Sequence, residues 1–313
     1  MRYIEFLCCL FVFAASISIA AERSKIILDT DIGGDIDDAW ALAFVLSHED
    51  FEPLGITITN GNTPVRARLA CKVLHLAGRS RIPVAVGRKT NDGYAHQFVW
   101  AEDFAAVQPI RQPAAAFIVE QAKRYPKEVT LLAVGPLENV ADALRLEPRL
   151  GSYLRQVVLM SGCVYGRAGN PTIHPEWNVR ASIPDSQLVY AAGLPLTIVP
   201  LDSTTRVLLA DAERERVRKH NSPLTFALEC LYRLWISGPE SRMVLHDQLA
   251  VAEAAAPGKF FGKQETLSLV VDGQGFTRID AARGKPVVVC LEPKRDEFMN
   301  YFLSCLTGRR PGE

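Results

Sequence analysis

The 313-residue sequence has no excess of charge, 35 Lys and Arg balancing 35 Asp and Glu. The missing basic surplus argues against a nucleic-acid binder, which carries a cationic patch or stripe. Its densest basic stretch, "ERERVRKH" at Glu213–His220, is mixed in sign and reads as a solvated helix face. Cysteine is sparse and unpatterned: no C-x-x-C pair occurs among the seven, so neither a zinc site nor a disulfide framework is indicated. Most of Cys71, Cys163, Cys230, Cys290 and Cys305 read as small buried hydrophobes. No apolar run reaches the roughly 20 residues of a membrane span. No internal repeat, low-complexity tract or linker divides the chain.

One apolar run does stand out. "FLCCLFVFAASISIA" follows Arg2 and ends in small residues, with Ser18 and Ala20 at the −3 and −1 positions of a signal-peptidase site. Residues 1–20 are therefore expected to be a cleaved secretory signal. Residues 21–313 then form a single domain, exported to the periplasm or secreted, with no membrane attachment after cleavage.

From Lys25 onward, short β-rich runs alternate with helical patterns. Strands are expected at "KIIL", "LGITIT", "PVAV", "VTLLAV", "QVVLM" and "PLTIVPL", with helix-spaced segments such as "DDAWALAFVLSH" and "NVADALRLEP" between them. Such alternation predicts an α/β fold: an open, mainly parallel sheet with helices on both faces. Two later runs, "TLSLVV" and "KPVVVCL", predict a hairpin or edge addition around "DGQGFTR". Ligands of open parallel sheets bind at the carboxyl ends of the strands. There the chain places the polar segments "TNGNT", "VGPLEN", "MSG" and "LDST".

The first strand runs into "DTDIGGDIDDAWAL", where Asp29, Asp31, Asp35, Asp37 and Asp38 crowd into ten residues. A helix N-cap accounts for one of them, not for five. A calcium EF-hand loop started at Asp29 puts Gly33 at position 5 and Trp40 at position 12, where the bidentate Glu is required. An aspartate-nucleophile phosphohydrolase of the haloacid dehalogenase type shares the Asp-x-Asp pair, but that pattern has Thr or Val where Gly33 stands. A bound hard divalent cation explains the crowding best, because it neutralises close carboxylates and can lower the pKa of a water it holds.

The Asp loop resembles the signature of the inosine–uridine-preferring nucleoside hydrolases. The likeness continues in order through "TNGN", "LLAVGPLENVADALRLEP", "VVLMSG", "GNPTIHPEWNV" and "VLHDQLAVAEAAAP". It implies a Rossmann-like core and a Ca²⁺-dependent N-ribohydrolase that splits ribonucleosides into base and ribose, serving nucleoside salvage. The metal ligands it implies are Asp31, Asp38, Asp247 and the main-chain carbonyl of Val134. Asp31 would also be the general base toward the attacking water, and His246 would assist the departing base. Asp37, Asn62, Asn170, Glu176 and Asn178 match positions that grip the ribose hydroxyls, and Met160 one that packs beside the sugar. The resemblance further implies a homodimer or homotetramer.

The loop is longer than the family's short signature: Gly34, Asp35 and Ile36 stand where that form has a single residue. Asp35 thereby becomes a second candidate for the base. Taken alone, Asn62 and Asn170 read equally as turn residues. Tyr232 and Trp235 read as core, with base stacking as the alternative. The regions Asn91–Val107 and Ser222–Met243 are candidate lids that decide base preference. A non-catalytic nucleoside- or sugar-binding protein on the same fold is the reading from another class.

Overall fold

A computed structural model of the protein describes residues 23–236 and 242–308, so the segment 1–20 assigned to an export signal lies outside it. Strands β1 (Ser24–Thr30), β2 (Phe51–Ile58), β3 (Val84–Val86), β4 (Ile110–Pro113) and β5 (Val129–Ala133) occupy the first half. Strands β6 (Gln156–Met160), β7 (Leu196–Val199), β8 (Phe261–Val271), β9 (Thr277–Ile279) and β10 (Lys285–Pro293) follow. All ten join one sheet in the order β4-β3-β2-β1-β5-β6-β7-β10-β8-β9. Pairing is parallel from β4 to β10 and antiparallel only between β10, β8 and β9.

Strand side chains alternate between two apolar layers, as the period of two demands. Ile26 and Leu28 of β1 face one layer and Ile27 the other. Likewise Val158 and Met160 of β6 oppose Val157 and Leu159. Helices Asp37–Ser47, Thr63–Leu76, His246–Ala255 and Arg295–Thr307 cover the first layer. Helices Ala114–Arg124, Glu138–Leu146 and Ile183–Ala191 cover the second. Trp40 and Phe44 of the first helix pack on Phe302, at ring-centroid distances of 6.3 and 5.0 Å.

The chain runs outward from β1 to β4, then crosses back to β5 on the other side of β1. Right-handed crossovers in opposite directions place helices on opposite faces. The reversal also leaves a crevice beyond the ends of β1 and β5, the switch point at which open α/β sheets bind ligands.

Two strands differ from the sequence expectation. β4, "IRQP", has no apolar run because it is a half-exposed edge strand ending at Pro113. β8 and β10 do pair antiparallel, but β10 lies inside against β7, while the hairpin across "DGQGFTR" is closed by β9 on β8. Cys71, Cys163 and Cys290 are buried free thiols, as their isolation in the sequence suggested.

Candidate active site

β1 ends at Thr30 and delivers Asp31 and the Asp loop to the switch point. The loop carries Gly33 at φ 104° and leads into helix Asp37–Ser47, whose first two residues are Asp37 and Asp38. Polar contacts secure it from three sides. Thr30 Oγ1 donates to Asp38 Oδ1 at 2.5 Å and accepts from Ile32 N at 3.1 Å. Gln97 Nε2 donates to the carbonyls of Gly34 (3.1 Å) and Asp35 (3.0 Å). Gln248 Nε2 donates to the carbonyl of Asp37 at 2.7 Å. Loops held this way keep their side chains pointed, and that is what a reaction site requires.

β5 closes the other wall. A Cβ at Gly135 would lie 2.8 Å from Asp31 Oδ1 and 2.9 Å from Asp31 N, so only glycine permits this approach. Asn178 Nδ2 donates to the Val134 carbonyl at 2.7 Å and to the Met160 carbonyl at 3.0 Å, tying together the ends of β5 and β6. Glu176 caps the short helix Trp177–Arg180, accepting from Asn178 N, Gly162 N and Val179 N at 2.7–3.1 Å. Burial nonetheless pushes its carboxyl up to about 7.

A cavity of about 570 Å³ opens here. Its walls include Asp31, Asp35, Asp37, Asp38, Arg66, Val134, Met160, Arg167, Glu176, Asn178, His246 and Asp247. Asp37, Asp38 and Asp247 are all buried, and their carboxylate oxygens lie within 4.8 Å of one another. Burial, reinforced by mutual repulsion, raises all three well above the usual carboxylate range. Asp31 and Asp35 are raised as well, Asp31 less than burial alone would dictate because Arg66 Nη2 stands 3.6 Å from it. An all-oxygen donor set of this density fits a hard divalent cation, which would offset the repulsion.

The sequence of residues 26–300 matches the model of the family described as "Inosine-uridine preferring nucleoside hydrolase". The chain belongs to this family. A probable uridine nucleosidase 2 of Arabidopsis thaliana is 32% identical over 259 residues, covering 76% of this chain and 80% of that protein. A pyrimidine-specific ribonucleoside hydrolase of Shewanella woodyi is 32% identical over 279 residues, 82% of this chain and 88% of its own. A solved purine-preferring ribonucleoside hydrolase from Gardnerella vaginalis superposes with a TM-score of 0.79 at 25% identity, covering 91% of this chain and 98% of that one. A plant nucleoside hydrolase, at 23% identity and a TM-score of 0.80 over 91% and 99% of the two chains, shares the fold.

This nucleoside hydrolase is an N-glycosyl hydrolase acting on ribonucleosides, and its family binds a metal ion. The phosphohydrolase and the non-catalytic readings of the Asp loop are not favoured by these relationships. The fold brings Asp31, Asp37, Asp38, Val134, Met160, Glu176, Asn178, His246 and Asp247 to one cavity, as the sequence proposed. Among the described residues, Asp37, Asp38 and Asp247 are the group whose oxygens all lie within 4.8 Å of one another, and Asp31 stands outside that trio. Two expected ribose contacts are placed elsewhere. Asn62 starts helix Thr63–Leu76, its carbonyl accepting from Val65 N and Arg66 N at 3.1 Å, and it does not line the cavity. Asn170 faces an adjacent cavity, its Oδ1 accepting from Thr172 N at 2.9 Å. The Asn170 side chain thus closes a turn, whereas at Asn62 the carbonyl alone is engaged and the side chain caps nothing.

Tyr232 is buried in the core beneath the Arg214 guanidinium, and neither it nor Trp235 lines the cavity. Thr204 lay in the polar strand end "LDST", whereas sequence reasoning missed Arg66, Gln97 and Arg167. Only their contacts reveal them, since single polar residues in helices and loops carry no local signature.

Proposed function

We propose that this protein hydrolyses pyrimidine ribonucleosides, uridine foremost, to free base and ribose, with Ca²⁺ as its ion. The observation that carries the reading is the meeting of Asp37 and Asp38 with Asp247 in the cavity that also holds Asp31, Glu176, Asn178 and His246. The substrates named in its relatives from Arabidopsis and Shewanella support the choice of base.

Asp31, Asp38, Asp247 and the Val134 carbonyl would hold the ion, with Asp37 beside them on the side of the sugar. A bound Ca²⁺ would neutralise the carboxylates and acidify a coordinated water. Asp37, Glu176 and Asn178 bind ribose hydroxyls, and Met160 packs against the ring. As the glycosidic bond lengthens, positive charge grows on the ribose, and the surrounding carboxylates stabilise it. Asp31 takes the proton of the attacking water. Burial holds His246 down at about 4, so its ring is neutral at neutral pH. Thr204 Oγ1 lies 2.6 Å from its Nδ1. With that hydroxyl as donor, Nε2 keeps the proton and faces the base. The protein acts after export, as a homodimer or homotetramer.

The test is the metal content of the purified protein, followed by reducing-sugar release from uridine and inosine with and without chelator. Chelator-sensitive release, faster from uridine, is expected. A metal-free protein that releases no ribose from either nucleoside would sink the reading.

A further inference from the structure

The cavity holds two guanidinium groups in different circumstances. Arg66 is tethered: its Nη1 donates to the Ile32 carbonyl at 3.0 Å, and its Nη2 stands 3.6 Å from Asp31. Arg167 is held only by its backbone. Its N–H donates to the Asn170 carbonyl at 2.7 Å, and its carbonyl accepts from Asn170 N at 3.0 Å. The next residue, Ala168, donates to Thr205 Oγ1 at 2.9 Å, which pins this loop to the cavity wall. Among the described residues the Arg167 side chain has no hydrogen bond and no ion pair. The two cations also act on different sides of the cavity. Arg66 stands against Asp31, whereas the loop of Arg167 is fixed to Thr205, the neighbour of Thr204, whose hydroxyl lies 2.6 Å from His246 Nδ1.

A guanidinium cannot lose its proton at any working pH, and it offers a planar fork of donors. Arg167 stands on the wall shared by the reaction cavity and the adjacent one, and without a protein acceptor it is available to the substrate. Its position beside His246 is the base side, a placement that rests on the function proposed above. We propose that Arg167 donates to the carbonyl oxygen adjacent to the glycosidic nitrogen of a pyrimidine nucleoside and stabilises the negative charge of the departing base.

The electron count is simple. The C1′–N1 bond breaks with its pair passing to the base, where it spreads from N1 onto the neighbouring carbonyl oxygen. The oxygen of water forms the new bond to C1′, its proton passes to Asp31, and the base anion is protonated from solvent. Arg167 stays charged throughout. A purine has no carbonyl beside its glycosidic nitrogen, so the same residue favours pyrimidines.

Uridine, inosine and p-nitrophenyl β-D-ribofuranoside, whose leaving group is already a stable anion, separate the possibilities in the full-length protein. Loss of one charged donor to a developing anion costs about 10²–10³ in kcat. Arg167→Gln should lower kcat on uridine by that factor with KM little changed, and Arg167→Lys should retain part of the loss. On the nitrophenyl riboside and on inosine the Gln variant should lose less than about tenfold. Equal losses on all three substrates would mean that Arg167 only shapes the loop, and undiminished uridine turnover would remove it from the reaction. Either result overturns the proposal while leaving the nucleosidase reading intact. A wild-type protein inert toward all three overturns both.

Discussion

Asp38 and Asp247, 209 residues apart in the chain (247 − 38), present carboxylate oxygens within 4.8 Å of each other, and Asp37 completes the trio. Such a meeting opposes folding unless a cation joins it, so the ion is expected to be part of the protein's stability.

Chelation should therefore lower the thermal midpoint, and added Ca²⁺ should restore it. An ion present at 100 times its Kd contributes about 2.7 kcal/mol. Asp247→Asn should lose this response in a thermal melt with and without EGTA. An undiminished Ca²⁺ response in that variant would remove Asp247 from the site.

Two carboxylates compete for the role of base. Asp31 is held by Arg66, whereas Asp35 is exposed, with Oδ1 engaged by Ile36 N at 2.6 Å. Asp31→Asn should cost about 10²–10⁴ in kcat, the usual range for a general base, and Asp35→Asn less than about tenfold. Steady-state rates on uridine decide, and the opposite ranking would transfer the role to Asp35.

Asp29 offers a pH test. It is fully buried in β1, accepting from Thr57 Oγ1 at 2.5 Å and Asn139 Nδ2 at 2.7 Å, while its second oxygen has no partner. Burial outweighs those bonds and pushes its carboxyl up to about 7. Folding then favours the protonated form, so its stabilising effect is complete below the unfolded value near 3.8 and is lost as pH rises through about 7. Asp29→Asn should flatten the stability profile across that window, by up to about 4 kcal/mol at 1.36 kcal/mol per pKa unit. Denaturant unfolding at pH 4.5 and pH 8 measures it, and an unchanged pH slope would count against a raised Asp29.

Phe302 supports the site from behind. It is fully buried, stacks on Phe298 at 5.7 Å and meets Phe44 and Trp40 of the helix that carries Asp37 and Asp38. Phe302→Ala should destabilise by about 3–5 kcal/mol, as buried Phe-to-Ala changes do. Urea melts of holoprotein test this, and a loss under about 1 kcal/mol would mean that Phe302 bears little of the helix packing.

Much of the fold was legible because it is periodic. β1, β2, β5, β6 and β7 are apolar on both faces, and only a covered parallel strand has a use for that. β4 was not legible, since an edge strand of "IRQP" needs no apolar run. In the site, the Asp loop announced itself by charge density. Asn62 and Asn170 matched the family's blocks, yet neither is among the residues lining the cavity, and a spacing in sequence does not record which wall a side chain meets.

The sequence alone determined the layered α/β architecture and the crowding of acidic groups over Asp29–Asp38 in a family that binds a metal ion, because apolar periodicity and like-charge crowding are local properties of a chain. The tertiary structure decided which carboxylates meet, that Arg66 is tied to Asp31, and that Arg167 faces the cavity without a protein partner. Those outcomes depend on angles and distances between segments far apart in sequence, and they exist only once the sheet has closed the crevice between β1 and β5.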